Sequence, residues 1–458
     1  MLPTYYFIGI NGIGMSGLAE IMVSQGHRVL GSDISPTIRL DRFEACGITV
    51  FTDHHPDHIA DSDWIVVVST AVSSQNSEYR RAVDLGCTII RRGELLAQIM
   101  TDFAQSLGVV GTHGKTTTSS LIMRIFLEWA NPSYCIGGLL VDRPHAAIHE
   151  KEWFITELDE SDGSFLMAKP THAVVTNIEH EHVDFYPDKA AVVDAFYRFI
   201  VDIPGYCAIN LDDPLSEKVY KKIANPSRFI TYGIDASGAR VRAENIQYSW
   251  QGISFTLMIN NKAIDTVKVR LFGKHNVANV LGAIAISLQN NIPLQHILNG
   301  LAAFKGVKRR LELVYQGQDI RIYDDYAHHP TEIISTLEGL YKSFSNTRII
   351  TIFQPHRHTR LTNLFKGFTE SFSRSNRTYI LPVYSAGEIV NHSKTAEELV
   401  AGIVSNGSNA VLVSDFDHAI TCIMADLHPQ DTLVIMGAGD VTRITQSLIP
   451  VICQRGGA

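Results

Sequence analysis

Three α/β domains, each built on a largely parallel sheet, are what this sequence predicts, and three observations predict them. The chain has 458 residues, too many for one compact core at roughly 100 to 200 residues per domain. Short apolar, β-branched runs alternate with stretches of helical spacing, and the alternation restarts twice. Two glycine-rich turns each follow a strand-like run and open a helix-like one, at the strand ends where open α/β sheets build ligand sites.

The first alternation runs to about residue 105. YYFIGI, HRVLGSD, ITVFTD and DWIVVVST read as strands, with SGLAEIMVSQG at helical spacing between the first two; a right-handed crossover then gives a parallel sheet. The second begins at LGVVGTHGKTTTSSLIMRIFLEWA, again strand, loop and helix, followed by the strand-like WFITEL and HAVVTNI. Residues 240 to 270 differ: alternating runs broken by the turn-forming pairs QG and NN predict an antiparallel patch. FGKHNVANVLGAIAISLQN returns to helix. The third alternation follows GVKRRLELV, with DIRIYDDYA, TRIITIFQP, RTYILPVYS, AVLVS and DTLVIMGAG as strands. The domains so delimited are 1–105, 106–311 and 312–458.

Composition excludes several classes. Hydrophobic residues make up 45% and charged residues 19%, the mix of a soluble globular protein. Lys plus Arg number 39 against 47 Asp plus Glu, a net charge of -8, so the basic excess of a nucleic-acid binder is missing and anions need local basic pockets. The six cysteines (Cys46, Cys87, Cys135, Cys207, Cys422, Cys453) form no CxxC pair, which favours reduced thiols over disulfides or zinc. The opening MLPTYYFIGING lacks a basic n-region and cleavage site, and no apolar run approaches the roughly 20 residues that span a bilayer. The expectation is a cytoplasmic protein, monomer or homodimer, with no membrane insertion and small-molecule partners.

Four groups of residues carry chemistry. In GTHGKTTT, Gly111 and Gly114 let backbone N–H groups approach phosphate oxygens, and the following helix points its positive end there. Lys115 supplies a mobile charge for the outer phosphates, and the Thr116 hydroxyl suits Mg²⁺. The usual GxxxxGK[ST] would place glycine where Val109 stands, so the loop is a shortened variant; a glycine turn capping a helix is the plainer reading. In GINGIGMSG, Gly12, Gly14 and Gly17 satisfy GxGxxG, and Asp33 ends the next strand. That fits a nucleotide diphosphate or packing alone, and by itself does not say NAD. ELDESDGSF places Glu157, Asp159, Glu160 and Asp162 after one strand, and NIEHEHVDFY places His180, His182 and Asp184 after another. Beside a phosphate loop these suit Mg²⁺ or Mn²⁺; alone, such an acidic run is a solvated loop. KRRLELV, YDDYAHHPTEI and FQPHRHTRL gather Arg309, Arg310, Asp325, His328, His329, Arg357 and Arg360 beside the third sheet, a candidate anion-binding cleft.

Taken in order, GINGIGMSG, GTHGKTTT, ELDESDGSF, NIEHEHVDFY, FGKHNVANVLGA, FKGVKRRLE, DDYAHHPTE and FQPHRHTR resemble the bacterial Mur ligases that build the peptidoglycan stem peptide. The resemblance runs from residue 5 to about 443 and is greatest to the branch that adds L-alanine. It implies a Rossmann-like first domain holding a UDP-sugar, a P-loop ATPase-like central domain holding ATP and metal, and a Rossmann-like third domain bringing the amino acid. It puts Gly12 and Gly14 at the UDP diphosphate with Asp33 nearby. Gly111, Thr112, His113, Gly114, Lys115, Thr116 and Thr117 fall on the ATP phosphates, and Thr116, Glu157 and His182 on the metal. Asn276 and Asn279 match asparagines near the adenine, and Arg310 the arginine of the third-domain hinge. Tyr326, His328, Arg357 and Arg360 match residues around alanine and the transferred phosphate. Lys115, Glu157, His182, His328 and Arg357 are then the catalytic set.

The reaction implied is ATP-dependent ligation of L-alanine to the lactyl carboxylate of UDP-N-acetylmuramate through an acyl phosphate. One departure bears on the branch. Several relatives carry a carbamylated lysine on the helix after the metal-binding histidine, where this chain has AFYRF; Lys189 lies too close to His182 to replace it. That argues against a ligase adding a later residue. The rival readings are a recycling ligase that attaches an intact tripeptide to the same UDP-sugar, a P-loop regulatory ATPase module and an NAD(P)-dependent oxidoreductase. The last leaves the GKT loop and the central acid and histidine clusters without a role.

Overall fold

The computed structural model describes residues 2–35, 40–181, 185–317, 319–344, 347–388 and 393–455. Its first sheet comprises β1 (Thr4–Ile8), β2 (Arg28–Ser32), β3 (Thr49–Phe51), β4 (Ile65–Val68) and β5 (Thr88–Arg91). Their order is β3-β2-β1-β4-β5, and every pairing is parallel. Side chains alternate along β1: Tyr5 and Phe7 enter the core on one face, Tyr6 and Ile8 the core on the other. Burial on both faces is why YYFIGI is apolar throughout.

The second sheet has ten strands: β6 (Gln105–Val110), β7 (Pro132–Cys135), β8 (Ala146–Ala147), β9 (Glu150–Glu157), β10 (His172–Val175), β11 (Cys207–Asn210), β12 (Phe229–Gly233), β13 (Val241–Ser249), β14 (Gly252–Ile259) and β15 (Lys262–Val269). The order is β15-β14-β13-β12-β11-β10-β6-β9-β7-β8. β6 lies between β9 and β10, parallel to both. Two-residue links join β13 to β14 and β14 to β15, and neighbours so joined run antiparallel, since a parallel return needs a long crossover. The patch expected between residues 240 and 270 is this meander.

The third sheet comprises β16 (Glu312–Gly317), β17 (Ile320–Asp325), β18 (Ile349–Phe353), β19 (Arg377–Ile380), β20 (Ala410–Leu412) and β21 (Thr432–Met436), in the order β16-β17-β21-β18-β19-β20. All its pairings are parallel except β16 with β17. The antiparallel β16 is absent from the sequence reading for a physical reason. An edge strand buries only part of its surface, and no residue of Glu312–Gly317 is fully buried, so polar residues flank its short apolar centre.

By internal contact the chain divides into one unit of residues 1–245, 255–267 and 278–305 and another of 246–254, 268–277 and 306–458. In the first, Gly300 lets the helix Leu294–Ala302 lie against the helix Lys115–Phe126: a Cβ at Gly300 would stand 2.5 Å from the Ile125 Cα. Gly300→Ala must therefore push two backbones apart, at about 1 to 3 kcal/mol for such overpacking. Chemical denaturation is expected to show that loss; a variant as stable as the parent would refute the close approach.

Candidate functional site

In the first unit the phosphate-loop candidate is built at the centre of the second sheet. β6 ends at Val110, four loop residues follow, and the helix Lys115–Phe126 begins at Lys115. Gly111 (φ +140°) and Gly114 (φ +81°) take backbone conformations that L side chains rarely adopt, and a Cβ would stand 2.0 Å from the Thr176 hydroxyl oxygen in one case and 2.4 Å from Asn279 Oδ1 in the other. The segment after β10 clamps the loop. The Thr112 N–H donates to the Asn177 carbonyl (3.0 Å), the His113 N–H to Asn177 Oδ1 (2.9 Å), and the Thr176 hydroxyl to the His113 carbonyl (2.7 Å). Asn177 was not foreseen; the sequence signal for it was only its place just past a strand.

Lys115 is folded back into this loop. Its Nζ donates to the Gly111 carbonyl (2.6 Å), the Thr112 carbonyl (3.1 Å) and Glu160 Oε2 (2.7 Å). Burial alone would lower its pKa, but Glu160, Asp159 and Glu157 outweigh that and hold it above the usual lysine value. Asp159 is pulled the other way: burial opposes its charge, yet Lys115 and Arg92 keep its pKa below normal. Arg92 pairs with it at 2.8 Å.

Next to Lys115 the Thr116 hydroxyl donates to Glu157 Oε2 at 2.7 Å. Glu157 is the last residue of β9, level with Val109 of β6, so parallel pairing brings the carboxylate beside the loop. A hydroxyl and a carboxylate in contact are hard oxygen donors, the set that Mg²⁺ takes. His182, the third expected ligand, lies outside the described residues, as does Asp184. His180 has a different role, with its Nε2 3.1 Å from the Tyr186 carbonyl oxygen. Thr117 is buried in the same helix. Asn276 and Asn279 stand one turn apart on the helix Lys274–Gln289, both buried. Asn276 donates to the Phe272 carbonyl (2.8 Å), and Asn279 packs on Gly114.

A cavity of about 690 Å³ opens at the ends of the first sheet, where Gly9, Asn11, Gly12, Asp33, His54 and Ser69 are among the residues lining it. Asp33 ties the two loops together, accepting from the Asn11 N–H and the Ser35 N–H at 2.9 Å each. Gly12 precedes the helix Ile13–Ser24 and lines the cavity. Gly14 instead packs on the Arg92 side chain, 3.1 Å from where its Cβ would be. His54 was not anticipated: its ring is held at 2.9 Å by Glu78, a fully buried carboxylate that also accepts from the Tyr6 hydroxyl (2.6 Å).

In the second unit the basic cluster gathers at the ends of β17, β18 and β21. Arg309 and Arg310 both lie over the Tyr326 ring, at 4.8 and 5.3 Å from its centre. His328 Nδ1 stands 2.9 Å from the Tyr326 carbonyl oxygen, and the Glu332 carboxylate receives the His328 N–H at 3.0 Å. His356 and His328 approach edge to face at 6.2 Å, and Arg360 reaches His356 Nδ1 at 3.3 Å. Burial above all lowers the pKa of both imidazoles, with Arg360 adding to it; His356 falls to about 4. Both are neutral at pH 7, so the arginines carry the positive charge.

Asp325 ends β17 beneath this cluster and accepts from the Ala327 N–H at 2.7 Å. Burial raises its pKa to about 7, against the opposing pull of Arg310. A carboxyl whose pKa is raised on folding stabilises most below its unfolded value near 4, and that contribution is lost as pH rises through 7. Asp325→Asn removes the loss, so the melting temperature of the variant should gain on the parent between pH 4.5 and 7.5. A difference that stays constant with pH would assign the carboxyl an ordinary pKa.

The chain matches three family models in succession: "Mur ligase family, catalytic domain" over residues 4–104, "Mur ligase middle domain" over 109–287 and "Mur ligase, glutamate ligase domain" over 309–439. It is 36% identical to the UDP-N-acetylmuramate–L-alanine ligase of Desulforapulum autotrophicum, over 98% of each chain. To the enzyme of the same name from Phenylobacterium zucineum it is 37% identical, over 99% of this chain and 97% of the other. Among solved structures it is similar to the UDP-N-acetylmuramate-alanine ligase of Thermotoga maritima, with a TM-score of 0.86 at 25% identity over 99% of each chain. A murein peptide ligase from Psychrobacter arcticus shares the fold, with a TM-score of 0.73 at 24% identity over 98% of each chain. With more than a third of its residues shared with relatives along nearly its whole length, this chain belongs to the Mur ligase family.

Proposed function

We propose that this protein ligates L-alanine to the lactyl carboxylate of UDP-N-acetylmuramate, consuming ATP and releasing ADP and phosphate, as a cytoplasmic step of peptidoglycan precursor synthesis. The observation that carries the reading is the Lys115 and Thr116 pair, held against Glu160 and Glu157 at the end of β6 in a chain that resembles the alanine-adding ligases along its whole length.

Residues 1–105 then hold the UDP-sugar, 106–311 ATP, and 312–458 the amino acid. Lys115 leaves Glu160 for the phosphates of ATP and neutralises charge while the γ-phosphoryl group passes to the lactyl carboxylate. Thr116 and Glu157, with His182, would hold Mg²⁺ or Mn²⁺, which when bound supplies further neutralisation of phosphate charge. The carboxylate oxygen takes the phosphoryl group, and the alanine amine displaces phosphate from the acyl carbon through a tetrahedral intermediate. Arg357 and Arg360 receive the amino-acid carboxylate, and the neutral His328 has a lone pair for the proton the amine loses. No protein nucleophile is required; positioning and charge do the chemistry. Asp33 and Gly12 line the cavity that takes the nucleotide of the sugar.

Phosphate release from ATP and Mg²⁺ is the test, run with UDP-N-acetylmuramate with and without L-alanine, and beside it with a tripeptide. Release that needs both the sugar nucleotide and alanine, with a new amide product by mass, is the expected result. Preference for the tripeptide would make the chain a recycling ligase, and release indifferent to the UDP-sugar would make it a regulatory ATPase.

A further inference from the structure

Arg357 occupies a backbone conformation that only its surroundings explain. Its φ is +69° with ψ at 130°, and it is not glycine. Holding an ordinary residue in such a region costs on the order of 1 to 3 kcal/mol and persists only where neighbours over-determine it. Those neighbours come from the segment after β19. The Arg357 N–H donates to the Tyr384 carbonyl (2.8 Å), and the Tyr384 N–H returns to the Pro355 carbonyl (2.8 Å), pairing His356 with Tyr384 as a single parallel bridge.

The side chains repeat the clamp. The Tyr384 ring stacks on the His356 ring at 5.5 Å and 12°, and the Tyr384 side chain also meets Gly439, where a Cβ would stand 2.9 Å from Tyr384 Cγ. Four residues on, Glu388 caps the short helix His358–Asn363: its carboxylate accepts from the Thr359 N–H (3.1 Å) and the Thr359 hydroxyl (2.6 Å). That helix carries Arg360, whose Nη1 lies 3.3 Å from His356 Nδ1. The Tyr384 main chain therefore holds Arg357, its ring holds the His356 ring that Arg360 reaches, and the Glu388 carboxylate fixes the start of the helix that carries Arg360. Both are polar side chains, Tyr384 exposed and Glu388 half-buried, and the contacts above are made to the segment that carries the arginines.

We propose that Tyr384 and Glu388 are positioning residues for the amine substrate, holding Arg357 and Arg360 in the arrangement that receives the α-carboxylate of the incoming amino acid. The inference rests on the reading of this cluster as the amino-acid site. A guanidinium displaced by an ångström loses its aligned pair of hydrogen bonds to a carboxylate while keeping its charge. The effect on binding therefore falls first on the amino acid, while any misplacement of Arg357 at the transferred phosphate is read in kcat.

The experiment measures KM for L-alanine, UDP-N-acetylmuramate and ATP, with kcat and melting temperature, in the parent and in Tyr384→Ala, Tyr384→Phe, Glu388→Ala and Glu388→Gln. Both alanine variants should raise the L-alanine KM by roughly tenfold to a hundredfold, with the other two KM values within about twofold. Tyr384→Phe keeps the stacked ring and Glu388→Gln keeps an acceptor for the Thr359 N–H, so each should return the L-alanine KM toward that of the parent. An unchanged L-alanine KM in Tyr384→Ala and Glu388→Ala, or equal rises in all three KM values, overturns the inference. A parent that turns over without alanine removes the underlying reading and this inference with it; a parent that needs alanine while the variants keep its KM removes the inference alone.

Discussion

Lys115→Ala should lower turnover by on the order of a thousandfold or more, because the charge that offsets the moving phosphoryl group is lost from the transition state. UDP-sugar affinity, measured by calorimetry, should stay close to that of the parent, since the cavity proposed for the nucleotide is lined by Gly12, Asp33 and their neighbours and not by Lys115. A second effect has to be separated from the first. Glu160 is buried and loses its ammonium partner in this variant, which costs about 3 kcal/mol when a buried pair is broken from one side. The double variant Lys115→Ala, Glu160→Gln removes the stranded charge. It should recover melting temperature while staying inactive, the pattern expected when stability and catalysis draw on different interactions of one residue. An active double variant would take Lys115 out of the phosphate chemistry.

Glu157→Gln tests the oxygen donors. The amide keeps the shape of the carboxylate and an acceptor for the Thr116 hydroxyl, now 2.7 Å away, so the loop stays in place while a charge is removed. The Mg²⁺ concentration at half-maximal phosphate release should rise by about a hundredfold, the upper end of what weakened metal-site contacts produce. A titration that superimposes on that of the parent would remove Glu157 from the metal shell.

Both variants fall on residues named from the sequence, Lys115 by its own loop and Glu157 by its place after a strand together with the family resemblance. GTHGKTTT announces itself because a glycine pair, a lysine and a threonine must be consecutive to build one loop at one helix start. The three alternations of strand and helix were equally legible, since a parallel sheet buried on both faces demands continuous apolar runs separated by crossovers. So was the antiparallel meander, from its turn pairs. Less legible were groups whose partners come from far along the chain. Asn177 clamps His113 across 64 residues, and Arg92 meets Asp159 across 67. No local periodicity encodes such a pair.

The sequence by itself determined the order of the domains, the glycine loop that opens the helix at Lys115 and the residue types gathered at the strand ends. These depend on neighbours a few positions apart, and local geometry is written in local spacing. Only the tertiary structure decided that Lys115 rests on Glu160, that Gly14 packs on Arg92, that burial raises the pKa of Asp325 to about 7, and that Tyr384 bonds the strained Arg357. Each of these turns on which strands pair, in what register, and how much water is excluded around the result. Charge and reach are set by that packing, and packing is a property of the whole chain.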